Sequence, residues 1–396
     1  MLCSGTGSID RAFERRGWDV VSVDWLAKFS PTLCVDINDW DYQAAYPRDY
    51  FQFVWASPAC THFSIARTTG GPRDIQGATA LVQRCLDIAH YFGCDWCLEN
   101  PASGLLKHQP LMQGLPYTDV TYCKYGYDYR KQTRLWHSHA FGEAFRPQPV
   151  CCKASPCPAF ATNGAHPKSA QRGADHARGG GRKPNDDCSQ AQLYSMPPAL
   201  CDEVAQAAQW VAKRAMLLRM LETHKWKKQT HRANIAKAFE RTHHTSKEGK
   251  PYVMGRVHEQ QQSEYHAHGN LWEHFRTMLP EWFAPGEFFG VTLNRNTVCQ
   301  PHRDKKNVGQ RAIMFLGEFQ GGALVLEDGR RLEERGVWHG YDGTRLLHWN
   351  EEITGGTKFS VVAHNNTTRP LAYPYRKYKN GRDPATTQDS QGQAEL

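Results

Sequence analysis

No run of roughly eighteen or more consecutive apolar residues occurs in the 396-residue chain, which predicts that none of its helices spans a membrane. The opening residues, Met1-Leu2-Cys3-Ser4-Gly5, lack the basic segment and apolar core that a secretory signal needs. The thirteen cysteines lack the regular spacing of a disulfide framework. They read as reduced thiols of an intracellular protein, with a metal site among them as one use. Charge of one sign is not strongly in excess: 48 Lys+Arg against 40 Asp+Glu give a formal +8 and a pI of about 8.8, mildly favouring a polyanionic partner. With 40% hydrophobic and 22% charged residues the composition is that of a soluble globular protein. Its length exceeds what one core usually organises, so two domains are expected.

The apolar run from Phe51 to Ala56 ends abruptly at Ser57-Pro58-Ala59-Cys60, the pattern of a buried strand delivering a thiol to a tight turn. Ligands of α/β sheets gather beyond the carboxyl ends of the strands. Cys60 is therefore either a small buried hydrophobe or a nucleophile, the latter needing thiolate character. Upstream, Ser4-Gly5-Thr6-Gly7-Ser8 runs into a helix that stops at Gly17, and Trp18 to Val23 reads as a strand ending at Asp24. Glycines let a backbone approach a ligand closely, and an acid roughly 20 residues on can hold ribose hydroxyls, although a merely tight turn accounts for the glycines equally well. The chain starts inside this pattern, which points to a truncated start and predicts a sheet without its central strand. Asp36 is a second acidic position suited to an adenine or to a solvated turn. A helix is expected through Ala78 to Phe92, and Trp96-Cys97-Leu98-Glu99-Asn100-Pro101 delivers a carboxylate to a turn as the earlier strand delivers Cys60. Glu99 is either a solvated strand end or a partner for that thiol.

Ser-Gly-Thr-Gly-Ser at 4–8, the acid Asp24, Ser-Pro-x-Cys at 57–60 and Glu-Asn-Pro at 99–101 resemble, in order and spacing, the motifs of DNA cytosine-5 methyltransferases. Tyr129-Arg130-Lys131-Gln132-Thr133-Arg134-Leu135-Trp136 looks like the Gln-x-Arg element of that family, and the set is closest to phage and algal members. The resemblance implies a Rossmann-like domain and S-adenosylmethionine bound by Ser4, Gly5, Gly7, Asp24, Asp36 and Ser57. It also implies DNA as partner, with the target cytosine flipped out of the duplex. Cys60 would add to cytosine carbon 6, making carbon 5 nucleophilic. Glu99 would hydrogen-bond ring nitrogen 3 as a protonated carboxyl. Arg134, with Arg130 as alternate, would hold the base or its phosphates. The family usually has Pro-Pro-Cys; Ala59 departs from this and predicts weakened rather than abolished activity.

Between the two halves, Cys151-Cys152-Lys153-Ala154-Ser155-Pro156-Cys157 precedes His166, a Gly/Arg-rich stretch at 172–183 and Cys188. Cys152, Cys157 and His166 form a candidate zinc set, completed by Cys123 or Cys188; a loop of incidental thiols is the competing reading. A helix is expected from Asp202 to about Leu221, followed by a basic run with Lys225, Lys227, Lys228 and Arg232 that either tracks phosphates or is a solvated linker.

From residue 288 on, short strand-like runs punctuated by glycine predict a mainly β sandwich or jelly roll. His302-Arg303-Asp304 with a distant histidine is the ligand pattern of the two-histidine, one-carboxylate iron(II) site. Together with Gly317 to Gly322, Leu347-His348-Trp349 and Lys358 to Val362, it resembles iron(II)/2-oxoglutarate dioxygenases, particularly the TET/JBP-like forms that oxidise the 5-methyl group of pyrimidines. That resemblance implies a double-stranded β-helix, iron held by His302, Asp304 and His348, and Lys358 on the distal carboxylate of 2-oxoglutarate. His339 competes with His348, but only His348 has the lysine at the expected interval. Asn294 and Asn296 either face the cosubstrate or are strand-edge polar residues.

The expected domains are 1–221, methyltransferase-like with a Cys/His-rich recognition insert at about 145–192; a basic linker, 222–258; 259–368, dioxygenase-like; and a disordered tail, 369–396. The expected function is methylation of DNA cytosine at carbon 5 followed by hydroxylation of that methyl, in the nucleus if the source is eukaryotic. One active domain alone, or a non-catalytic DNA-binding scaffold, are the competing expectations.

Overall fold

A computed structural model describes residues 1–65, 67, 71–168, 170, 190–223, 252–255, 274–285, 289–304 and 307–366. The stretch at 172–183, Cys188, the basic run Lys225 to Arg232 and the tail 369–396 lie outside these residues. The chain divides into two compact units, Met1–Ala215 and Met216–Leu396.

The first unit is built on a mixed sheet. Its strands are β1 (Val23–Asp24), β2 (Leu33–Cys34), β3 (Phe53–Ala56), β4 (Asp95–Pro101), β5 (Tyr117–Thr121) and β6 (Gln132–His137). Strands β1 and β2 are parallel, as are β3 and β4, while β6 runs antiparallel to both β4 and β5. Leu2 bridges in parallel to both Val23 and Ala56, so the order across the sheet is β2-β1-Leu2-β3-β4-β6-β5. The expectation of a sheet without its central strand is therefore corrected. Leu2 N–H donates to the Trp55 carbonyl at 2.7 Å, Ser57 N–H to the Leu2 carbonyl at 3.0 Å and Val23 N–H to the Met1 carbonyl at 2.8 Å. Three residues do the work of a strand. This also explains why the strand expected over Trp18 to Asp24 is only Val23–Asp24: a strand extends as far as it has a neighbour to pair with.

Side chains alternate across a strand, and the core divides accordingly. Phe53, Trp55, Cys97 and Leu135 pack with Ile9, Ala12 and Phe13 of α1 (Ser8–Arg15). Val54, Ala56, Trp96, Leu98 and Trp136 pack on the other face, with Ala78, Val82, Leu86 and Ala89. The chain passes α2 (Tyr42–Ala45) before α3 (Ile75–Phe92), which carries those last four residues at helical spacing. Asp74 caps α3 by accepting from Gly77 N–H at 2.7 Å, and Gly93 at φ 61° ends it. Short helices α4 (His139–Ala144), α5 (Pro158–Asn163) and α6 (Gln190–Tyr194) precede α7 (Pro198–Thr223), whose Leu200, Val204 and Ala208 cover the α1 face.

The second unit is mainly β. A five-stranded antiparallel sheet has the order β13-β9-β16-β8-β7, from β7 (Tyr252–Gly255), β8 (Phe289–Arg295), β9 (Asn307–Leu316), β13 (Trp338–Tyr341) and β16 (Phe359–Asn366). The remaining strands are β10 (Phe319–Gly321), β11 (Leu324–Leu326), β12 (Arg331–Leu332), β14 (His348–Asn350) and β15 (Ile353–Gly356), which form the smaller sheets β12-β11-β14 and β10-β15. Ile313, Phe315, Leu324, Leu326, Tyr341 and Val362 fill the core between them. Strand β7 falls inside the stretch 222–258 read as linker; it pairs with β8 and so belongs to this sheet.

Candidate functional site

Cys60 lies four residues beyond β3, and its carbonyl accepts from Phe63 N–H at 3.0 Å and Ser64 N–H at 2.8 Å, closing the turn. Asn100, fully buried at the end of β4, donates its side-chain amide to the Pro58 carbonyl at 3.0 Å and clamps this turn against the neighbouring strand. Glu99 precedes Asn100 and points to the opposite face. Its carboxyl is bonded by the Ser57 hydroxyl, which accepts from Trp55 Nε1 at 2.8 Å. Ser57, expected at the cofactor, is thus tied to the acid. The other Glu99 oxygen, Oε1, is buried with no hydrogen-bond partner, so a donor or acceptor arriving there would meet an unsatisfied group.

Burial pushes the Glu99 carboxyl above its ordinary value, against the pull of the Lys131 charge and the Ser57 hydroxyl. Burial also pushes the Cys60 thiol up, as does the Glu99 charge, while Lys131 pulls it down. The thiol and the carboxyl thus sit in one electrostatic field, each made less acidic where burial disfavours its anion.

Arg134, expected to hold the base or its phosphates, lies on the other face of the sheet from Glu99. It is paired in register with Asn100 and Asp119, which puts it on the α3 face of the sheet, whereas Glu99 is opposite Leu135 on the α1 face. There Arg134 forms a two-pronged ion pair with Asp119 at 2.7 and 2.9 Å and stacks 3.7 Å from the Tyr117 ring centre. The alternate, Arg130, is exposed and contacts Gln132 at 3.4 Å. The cation that does act on Cys60 and Glu99 is Lys131, whose ammonium lies 4.7 Å from the Tyr122 ring centre and donates to the Leu193 carbonyl at 3.0 Å. Parity carried the signal: Lys131, Thr133 and Leu135 alternate onto the face of Glu99, but only a known β4–β6 register makes that parity readable.

At the carboxyl end of β1, both Asp24 oxygens accept backbone N–H groups, from Gly5 and Leu26, each at 2.9 Å. The carboxylate holds the glycine turn against the strand. Gly5 and Gly7 have φ of 53° and 64°, a region in which a β-carbon is strained, so their backbone is left bare. Ser4 N–H donates to the Val23 carbonyl at 3.2 Å. Asp36 is exposed just past the adjacent parallel β2 and accepts from Asn38 N–H at 2.9 Å. Trp25, next to Asp24 and 70% exposed, is a flat apolar group that the motif reading overlooked.

The Cys/His set also changes. Cys152 is exposed, while Cys123, Cys151, Cys157 and His166 bring their ligand atoms within 4.8 Å of one another. The turn in which Cys152 and Ser155 exchange backbone hydrogen bonds of 3.1 Å sends Cys152 outward and Cys151 inward.

In the second unit, His302, Asp304 and His348 bring their ligand atoms within the same 4.8 Å. His302 and His348 exchange backbone hydrogen bonds of 3.0 Å, which sets their rings 4.3 Å apart. Each ring directs Nδ1 at a backbone carbonyl, Gln300 at 2.7 Å and Leu346 at 3.1 Å, leaving Nε2 for a metal. Asp304 is 3.8 Å from His302 Nε2 and 3.3 Å from His348 Nε2. Burial pushes its carboxyl up, but the His348 contact and the Arg311 guanidinium outweigh this and hold it at about 2. Gly343 lies against this group: a β-carbon there would be 3.0 Å from Asp304 Oδ2 and 3.1 Å from the His348 ring. His339 instead contacts the Glu334 carbonyl at 2.9 Å. Two nitrogens and a carboxylate on one side suit iron(II).

Lys358 is 3% exposed, donates to the Gly322 carbonyl and lies 4.3 Å from the Phe315 ring centre. Burial lowers its ammonium to about 8. Among the described residues no carboxylate pairs with it, so the site fits an arriving anion. Asn296 exchanges bonds with the Lys358 backbone at 2.7 and 2.8 Å, and Asn294 donates to Ser360 at 3.1 Å; both join β8 to β16.

No protein-family profile matches the chain. Among solved structures it is similar to NgTET1 in complex with 5mC DNA (20% identity, 20% of this chain and 34% of that one, TM-score 0.19). It spans about a third of that protein's length. It is also similar to a Pseudomonas putida prolyl-4-hydroxylase (18% identity, 38% of this chain and 97% of that one, TM-score 0.21). At such TM-scores the jelly-roll description of the second unit rests on its own strands. The sequence comparison is stronger: a Frog virus 3 (isolate Goorha) protein, described as a probable DNA (cytosine-5)-methyltransferase, is 33% identical over 217 residues, which are 51% of this chain and 96% of the viral one. With that identity over nearly the whole of the viral protein, the chain belongs to the DNA (cytosine-5)-methyltransferase family.

Proposed function

We propose that the chain is a bifunctional DNA-modifying enzyme: its first unit, a Rossmann-like domain, methylates cytosine carbon 5, and its second hydroxylates the methyl to give 5-hydroxymethylcytosine. The observation that carries this reading is the presence in one chain of two built sites, the Cys60–Glu99 pair and the His302–Asp304–His348 group. The product of the first reaction is the substrate of the second. Since DNA is the substrate, an intracellular location follows, nuclear in a eukaryote.

S-adenosylmethionine supplies the electrophilic methyl. Ser4 and the turn at Gly5 and Gly7, which lack side chains, would hold it with Asp24 and Asp36 at the adjacent strand ends, and Trp25 would offer an apolar face. The Cys60 thiolate adds to carbon 6 of a flipped cytosine and the ring's electrons move toward nitrogen 3 and carbon 5; once carbon 5 has taken the methyl, it loses its proton to solvent and the thiolate is expelled as the 5,6 double bond reforms. Glu99, made less acidic by burial, donates in its protonated form to nitrogen 3 and stabilises the charge that builds there. Lys131 moderates both groups.

This electrostatic picture fixes the sign of two shifts. Glu99→Gln removes a charge that raises the Cys60 thiol, so the pH midpoint of Cys60 alkylation, followed by peptide mass spectrometry, falls. Lys131→Met removes a charge that lowers it, so the midpoint rises. Equal midpoints in all three proteins would separate these residues.

In the second unit dioxygen would be the oxidant, activated with iron(II) and with 2-oxoglutarate, which would be oxidised to succinate and carbon dioxide. His302, Asp304 and His348 would hold the metal, and Lys358 the distal carboxylate of the cosubstrate. Lys358 must be protonated to do so, and it loses its proton as pH rises through about 8. The apparent KM for 2-oxoglutarate therefore climbs above that pH, and Lys358→Met raises it at every pH and flattens the profile. A KM independent of both would remove Lys358 from the cosubstrate site.

Two assays test the halves separately. Unmethylated DNA should take label from S-adenosylmethionine at cytosine carbon 5 without iron. Premethylated DNA should yield 5-hydroxymethylcytosine with dioxygen, iron(II) and 2-oxoglutarate, without S-adenosylmethionine. Failure of either assay leaves a single-activity enzyme.

A further inference from the structure

Cys123, Cys151, Cys157 and His166 belong to neither reaction, yet they converge. Cys123 sits in the single turn Tyr122–Tyr125 that follows β5, Cys151 and Cys157 flank the tight turn at Cys152–Ser155, and His166 follows α5. We propose that these four side chains form a tetrahedral zinc site that staples the segment 151–166 to the β5–β6 connection.

The distances match the metal. Zinc bonds of about 2.3 Å to sulfur and 2.0–2.1 Å to nitrogen, at tetrahedral angles, set sulfur and nitrogen roughly 3.6 Å apart. His166 Nε2 lies 3.7 Å from Cys151 Sγ and 3.5 Å from Cys157 Sγ. Backbone N–H groups already point at two of the sulfurs, Cys157 N–H at Cys151 Sγ (3.3 Å) and Phe160 N–H at Cys157 Sγ (3.4 Å), donors that favour thiolates. Three soft sulfurs and one imidazole, the full set among the described residues, describe a closed structural zinc site.

Packing gives a second, independent reason. Among the described residues the buried cluster at this place consists of Cys123, Cys151 and Cys157, with Ala159 and Phe160 against it. So small an apolar group cannot order the segment by hydrophobic burial, and small elements without a core use metals or disulfides as staples. Polar ties among the described residues join it: Cys151 N–H to Thr121 Oγ1 at 2.9 Å, and Lys124 Nζ to the Ser155 hydroxyl and the Pro156 carbonyl, each at 3.0 Å. Cys123 adjoins Tyr122, whose ring underlies Lys131. The metal would thereby fix the strand connection that delivers Lys131 to the Cys60–Glu99 pair, making its ligands positioning residues.

The test is metal content of the full chain, expressed with zinc and purified without chelator, with zinc and iron counted together by mass spectrometry. About one zinc per chain is expected in the wild type, in Cys152→Ser and in His302→Ala. Cys151→Ser and His166→Ala should lose at least tenfold of it. Should those two variants fail to fold, cobalt(II) exchanged into the wild type reports instead, with thiolate-to-metal charge-transfer bands and a tetrahedral ligand-field spectrum. A wild type without zinc, zinc lost with Cys152 rather than Cys151, an octahedral cobalt spectrum, or a disulfide among Cys123, Cys151 and Cys157 in the peptide map would each overturn the proposal. None of these measurements depends on methyl transfer.

Discussion

Cys60→Ser reduces methyl incorporation into DNA to background and leaves S-adenosylmethionine binding unchanged. Serine fills the same turn and keeps the backbone hydrogen bonds from Phe63 and Ser64, but its hydroxyl is far less acidic than a thiol and cannot supply the anion that attacks carbon 6. Glu99→Gln is expected to cost about 10²–10⁴-fold in turnover, the usual worth of a positioned acid. It should also stabilise the fold, in a pH-dependent way. A carboxyl whose folded pKa is raised contributes stability at pH below its unfolded value and loses it as pH rises through the folded value. Burial raises Glu99. Once pH rises through the raised pKa, the wild type therefore bears an unfavourable carboxylate that glutamine removes. Scanning calorimetry should find Tm higher in Glu99→Gln above neutrality, with the difference vanishing toward the ordinary glutamate pKa. A variant that keeps turnover, or is destabilised at alkaline pH, would mean that Glu99 is a structural group.

His302→Ala abolishes oxidation of 5-methylcytosine while leaving methyl transfer at the wild-type rate. The imidazole supplies one of three metal donors, and its backbone pairing with His348 survives the substitution because it uses only main-chain groups. The variant should fold, lose iron affinity by at least about 100-fold and no longer consume 2-oxoglutarate, since even residues that only orient metal ligands cost 10–100-fold. Asp304→Ala should be worse for stability, because it removes the carboxylate that pairs with the buried Arg311 guanidinium beside the site. Undiminished iron binding in His302→Ala would move the metal elsewhere.

How much of this could be read from the sequence differs from group to group. The turns carrying Cys60, Glu99 and Asp24 are local features, an apolar run stopped by a proline or a polar residue, and they are where the sequence places them. His302, Asp304 and His348 likewise meet, although 45 residues lie between the two histidines, because a backbone bridge joins His302 to His348. Arg134 and Lys131 were not separable, since the face each occupies depends on the register of β4 against β6, which no local pattern records. Cys151 and Cys152 are adjacent, and only the hydrogen bonds of the following turn decide which thiol points inward. Strand β7 was hidden because its four residues pair with β8, nearly forty positions later, and carry no alternation long enough to stand out. The central position of the first sheet, filled by Met1–Cys3, is too short to carry any strand signal.

Nucleoside mass spectrometry of a single reaction bears most directly on the pairing of the two activities. Unmethylated DNA is incubated with the full chain, S-adenosylmethionine, iron(II) and 2-oxoglutarate, then digested. The bifunctional reading requires 5-hydroxymethylcytosine in the wild type, unmodified cytosine alone in Cys60→Ser, and 5-methylcytosine without its oxidised form in His302→Ala. Wild-type DNA that accumulates only 5-methylcytosine, under conditions in which a control dioxygenase consumes 2-oxoglutarate, would contradict it.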